Sequence, residues 1–120
     1  MRSTWIEHQG KKIFYQDFSK LFYNSEAVKA ELALVQEIVK TQPNDSALVL
    51  TDMRDTNVGS DLLPAMNDAS RATKAHVHKT AVLGVVGIKR KLADLLTAMT
   101  GQPLKYFDDI ESAKDWLAKD

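Results

Sequence analysis

Cysteine is absent from this 120-residue chain. That removes disulfide staples, thiolate zinc sites, iron–sulfur clusters and cysteine nucleophiles, and it fits a reducing compartment. Net charge is missing as well, because sixteen Lys and Arg balance sixteen Asp and Glu. A neutral chain is a poor general polyanion binder, so nucleic acid is not an expected partner. No apolar run approaches the roughly 20 residues of a membrane span, so no integral membrane segment is expected. The stretch after Met1-Arg2 is interrupted by polar residues, unlike the core of a secretory signal, and the cytoplasm is the expected location. Internal repeats, linkers and low-complexity segments are not found. Neither are a nucleophile elbow, a phosphate loop, HExxH or GxGxxG. The expectation is therefore a protein without enzymatic activity, cofactor or metal.

What is present is enough apolar material for a core. Hydrophobic residues make up 44% of the chain, and a domain of this size buries roughly two thirds of its unfolded surface. One domain over residues 1–120 is expected. The pattern alternates between periods of 2 and 3.6. Ser3–His8 and Lys12–Asp17 read as strands joined by a Gln9-Gly10 turn, with Phe14 facing away from Ile13 and Tyr15. A helix capped by Asn24 or Ser25 runs to about Thr41, with Val28, Leu32, Val35 and Val39 on its inner face, broadened by Leu34 and Ile38. Glu26, Lys29, Glu31, Gln36, Glu37 and Lys40 are assigned to water. Ala47–Thr51 reads as a strand covered on both faces. A second helix starts near Ser60 or Asp61, with Pro64 in its first turn and Leu62, Met66, Ala69 and Thr73 inward. A strand lies within Val77–Val86. Ile88, Leu92, Leu95 and Met99 mark a third helix, ended by Gly101 and Pro103. Leu104–Phe107 is a last strand, and a helix capped by Asp108 with Glu111 as its box partner follows. The order ββαβαβαβα predicts an α/β fold, a mixed and mostly parallel sheet of about five strands with four helices.

Three pieces carry a family resemblance: Tyr15-Gln16-Asp17-Phe18 at the end of the hairpin, Leu48-Val49-Leu50-Thr51-Asp52, and the closing run from Tyr106-Phe107-Asp108-Asp109 to Trp116-Leu117. Together they resemble the SpoIIAA-like proteins, small bacterial relatives of the STAS domains (sulfate transporter and anti-anti-sigma factor) that are also likened to the lipid-binding SEC14 fold. The resemblance implies a non-enzymatic regulatory or binding domain acting through a partner protein or a small anionic ligand. The alternative it implies is a carrier of a small hydrophobic or lipid-like ligand in a SEC14-like pocket. In regulatory STAS proteins a hydroxyl after an Asp, in the loop following a central strand, accepts a phosphate. Asp55-Thr56 falls in that loop, which makes Thr56 the candidate phosphoacceptor and Ser60 the second. Asn57-Val58 stands where the family pattern has small residues and glycine. Asp52, Asp55 and Asp61 cluster around the loop after the central strand, the end of an open α/β sheet where ligands bind; turn and cap roles are the other account of them and of Ser60.

Charge is neutral only as a sum. No acid falls between Asp68 and Asp94, a window holding Arg71, Lys74, Lys79, Lys89, Arg90 and Lys91. Lys89, Arg90 and Lys91 open the third helix, where cations oppose the helix dipole. With Lys74 they form a candidate anion or partner site, against the plainer account of a solvated face. His76 and His78, two apart, share a strand face; a metal would need a third ligand such as His8 or an aspartate, and solvent-facing histidines at a strand start are the plainer reading. Phe18, Phe22 and Tyr23 are candidates for an apolar pocket or a homodimer surface.

Overall fold

The computed structural model describes residues 2–57, 59–84 and 104–119. Strands β1 (Thr4–His8) and β2 (Lys11–Asp17) form an antiparallel hairpin. Its two turn residues, Gln9 and Gly10, both take positive φ (52° and 79°), the backbone that matches strand twist in a two-residue hairpin. Helix α1 (Ser25–Lys40), strand β3 (Ala47–Asp52), helix α2 (Leu63–Thr73) and strand β4 (Val77–Leu83) follow, then strand β5 (Leu104–Phe107) and helix α3 (Ile110–Ala118). The sheet order is β1-β2-β3-β4-β5, with β2 through β5 parallel. The five-stranded mixed sheet is as expected; three helices are present among the described residues. The helix expected after Gly87, with Lys89, Arg90 and Lys91 in its first turn, lies outside the described residues.

Successive crossovers from β2 to β3 and from β3 to β4 step the same way along the sheet. Right-handed connections then place α1 and α2 on one face. That face packs Phe14, Val49 and Val82 against Val28, Val35, Val39 and Leu62. The other face packs Ile13, Leu50, Ala81 and Leu83 against Ala113 and Leu117 of α3. Phe14 is indeed opposite Ile13 and Tyr15. Strand β3 has both faces covered, which explains its unbroken apolar run. The β3–β4 register slips between Ala47 and Leu48, which pair with Val77 and Lys79. This bulge leaves His78 over, so Val77 and Thr80 line the same side despite their odd spacing.

Several local expectations need correcting. α2 begins at Leu63, not Ser60 or Asp61, and its N-cap Leu62 supplies no side-chain bond. The cap of α3 is Asp109, not Asp108; its carboxylate accepts from the Ser112 backbone N–H at 2.8 Å. Either Asp could cap by spacing, and Asp109 has the extended backbone that a cap requires. Leu34 is 48% exposed rather than inward. Glu31 is buried rather than solvated: its carboxylate accepts from Arg2 N, Ser3 N and the Ser3 hydroxyl, the last at 2.6 Å. Asn24 caps α1 as expected, accepting from Ala27 N.

Candidate functional site

The carboxyl ends of β2 and β3 feed two loops, 18–24 and 53–62, that bond to each other. Phe18 N donates to Asp52 O, Lys20 N to Arg54 O, Phe22 N to Asp55 O and Asn57 N to Phe22 O, all at 2.6–3.0 Å. Lys20, Phe22 and Asp55 adopt positive φ of 50–59°, uncommon for residues carrying a Cβ. The backbone bonds hold them there. Gly84 closes the same edge. Its φ is +85°, and a Cβ there would lie 2.5 Å from Arg54 N and 2.6 Å from Arg54 Cα. Only glycine lets the Met53-Arg54 backbone pass so close.

Asp52, the last residue of β3, is fully buried on the α3 face. It accepts from the Tyr15 hydroxyl at 2.6 Å, from Arg54 Nε at 3.0 Å and Nη2 at 2.7 Å, and from Arg54 N at 3.1 Å. Burial alone would raise its pKa, but the bonds from Arg54 and Tyr15 outweigh it and hold the carboxyl below its ordinary value. Burial and the Asp52 carboxylate together push the Tyr15 hydroxyl up to about 12. The Arg54 guanidinium is pushed up by its bonds to Asp52. Each group thus satisfies the others, and the cluster pins the start of the β3–α2 loop to the sheet.

On the opposite face, between the sheet and helices α1 and α2, lies a cavity of about 140 Å³. Phe18, Val28, Val35, Val49, Met53 and Met66 supply much of its apolar wall. Gln16, Thr51 and Thr80 supply polar groups from three neighbouring strands. The Thr51 hydroxyl donates to Gln16 Oε1 at 3.1 Å.

The sequence-derived candidates fall apart into separate places. Thr56 is only 5% exposed. Its hydroxyl donates to the Phe18 carbonyl and accepts from Leu21 N at 3.0 Å. The exposed hydroxyl that a phosphoacceptor needs is not there: Thr56 is a staple between the two loops, and a phosphate would break both bonds. Ser60 and Asp55 are exposed. Asp52, assigned to a turn or cap role, is instead the buried centre of an ion pair. Lys74 caps the carboxyl end of α2, at the far edge of the sheet from the Asp52 loop, so it takes no part in that edge. Phe18 lines the cavity, while Phe22 and Tyr23 stand out into solvent at 60% and 83% exposure. The two histidines part company: His76 precedes β4 and bonds the Gln42 carbonyl at 2.7 Å, and His78 bonds Asp45 at 3.0 Å. No group of three metal-ligating side chains occurs among the described residues. Sequence reading missed Tyr15, Arg54 and Glu31. For Arg54 a signal existed, two residues after Asp52 at a strand end. Tyr15 is brought to Asp52 only by the β2–β3 register.

No curated protein matches the chain. A family model described as SpoIIAA-like matches residues 15–118, from within β2 to the last residue of α3. The match is consistent with a STAS-like protein and supports a STAS-type regulatory domain, and the five-stranded mixed sheet agrees. With the family match spanning both loops, the cavity and the Asp52 cluster, the chain belongs to the SpoIIAA-like family.

Proposed function

We propose that this chain is a non-enzymatic STAS-like binding domain whose ligand is a small apolar molecule held between the sheet and helices α1 and α2. The cavity carries this reading. Protein interiors are packed like organic crystals, with few voids larger than a water. A space of about 140 Å³ is well above the size of a water and leaves the apolar side chains that line it without protein contacts on one side. A ligand that fills the space recovers those contacts. At the sheet edge Tyr15, Asp52 and Arg54 are bonded to one another. The anionic-ligand reading rests on Lys89, Arg90 and Lys91, which lie outside the described residues, and on Lys74, which lies away from the two loops.

Native mass spectrometry of the protein from its source cells tests the proposal. The expected result is a bound small molecule released by organic solvent, and loss of that molecule in Ala69→Phe, which fills the space from α2. Protein that is always ligand-free, and an Ala69→Phe variant that is simply more stable, would refute it.

A second reading, contact with a partner protein, rests on Phe22 and Tyr23. Their rings are exposed on a loop fixed by backbone bonds rather than free to fold inward. Exposed aromatics on a rigid support are what interface anchors look like. A homodimer is one form this takes.

A further inference from the structure

We infer that the cavity selects a compact, electrically neutral molecule, an apolar ring-sized body that carries a hydrogen-bonding group, and rejects ionised or long-chain amphiphiles. This rests on the reading of the cavity as a ligand site. Charge is the first argument. Among the described residues that line the cavity, none is Asp, Glu, Lys, Arg or His. The two buried carboxylates among the described residues are directed elsewhere and already satisfied. Asp52 faces α3 and is held by Arg54 and Tyr15. Glu31 is held by Arg2 and Ser3. A carboxylate or ammonium entering the cavity would lose its water and meet no counter-ion among the described lining residues, which opposes binding.

Polar satisfaction is the second argument. Gln16 and Thr51 pair across β2 and β3, and their one mutual bond uses the Thr51 proton and Gln16 Oε1. The Gln16 amide N–H groups and the Thr80 hydroxyl are bonded to nothing among the described residues. A hydroxyl or carbonyl on the ligand would accept from Gln16, and a hydroxyl would also donate to Thr51 Oγ1. Thr73 is not available in the same way, since its hydroxyl already donates to Ala69 O at 2.9 Å. Size is the third argument. About 140 Å³ is close to the roughly 150 Å³ of an apolar cavity that takes up benzene, and it is too small for an extended acyl chain.

Calorimetric titration with phenol, toluene, benzoate, benzylammonium and dodecanoate tests this. Phenol is expected to bind about 5-fold more tightly than toluene, the worth of one net hydrogen bond. Benzoate and benzylammonium are expected to bind on the order of 100-fold more weakly than phenol, and dodecanoate not at all. In Thr51→Val and Gln16→Leu the phenol preference should vanish while toluene still binds, a readout that also shows the variants are folded. Tight binding of dodecanoate or benzoate, with phenol rejected, would overturn the inference and leave the ligand-site reading standing. Equal binding of phenol and toluene, unchanged by Thr51→Val, would overturn the hydrogen-bonding part. Failure of all five probes would bring down the inference and the ligand-site reading together.

Discussion

Asp52 shows how one side chain can be read two ways. By sequence it is one of several loop acids; by structure it is the buried centre of a four-bond cluster. Arg54 remains half-exposed, so removing the carboxylate leaves a cation that water can still reach. Asp52→Asn is therefore expected to cost about 1–3 kcal/mol, read as a lower urea midpoint at unchanged slope; an unmoved midpoint would show that the cluster contributes nothing. The pH dependence follows from the same groups. Asp52 and Glu31 have folded pKa values below their unfolded ones. At Glu31 burial opposes ionisation, but the bonds from Ser3 and Arg2 outweigh it. The stability these groups contribute is complete above the unfolded carboxylate range, about pH 4, and is lost as pH falls through the folded values. Tyr15 is the reverse: raised from 10.0 to about 12, it contributes stability below pH 10 that is lost as pH rises toward 12. Thermal unfolding across pH should show both limbs, and Tyr15→Phe should flatten the alkaline one.

At the scale of elements, the two loops at the carboxyl edge are built as one unit. Thr56 staples them, and Gly84 lets the chain pass. Gly84→Ala combines a strained φ with a contact against backbone that cannot move aside, so a loss of about 2 kcal/mol or more is expected. Hydrogen exchange should locate the damage in residues 52–57, and a variant as stable as the parent would show that the backbones separate easily. Helix α1 holds a comparable tie at its middle. Glu31 sits one turn before Val35, inside the apolar stripe, and anchors the chain at Arg2 and Ser3. Glu31→Gln is expected to speed amide exchange in the first residues of β1 at least 10-fold, consistent with losing a charge-assisted bond of about 1.5–3 kcal/mol. Unchanged exchange there would assign the anchoring to strand pairing alone.

For the whole molecule, the two faces of the sheet do different work. The α3 face carries its own apolar cluster and the ion-pair cluster; the α1–α2 face holds the cavity. No helix among the described residues is long and apolar enough to cross a membrane. Phe22 and Tyr23 lie away from either core, so replacing both by Ser should change stability by no more than about 0.5 kcal/mol each. Light scattering or pull-down should then lose any self-association or partner binding that the parent shows. A parent and variant that behave alike would remove the second reading.

Periodicity alone was enough to place nearly every described element, because burying an apolar stripe imposes 3.6 on a helix and 2 on a strand. It also indicated the parallel sheet, since strands separated by helices need crossovers. Failures came where a residue's type and its position disagree. Glu31 lies on the buried stripe by spacing, but its charge argued for water; only the Ser3 and Arg2 donors, brought in by the hairpin, make its burial tolerable. Thr56 lies in a loop, where hydroxyls are usually exposed, yet a second loop folds over it. The cavity has no sequence signature, because its lining residues are ordinary inward positions and the space among them depends on how far α1 and α2 stand from the sheet. Local spacing determines which residues turn inward; whether they meet a counter-ion, a carbonyl or an empty volume depends on long-range packing, which only the tertiary structure decides.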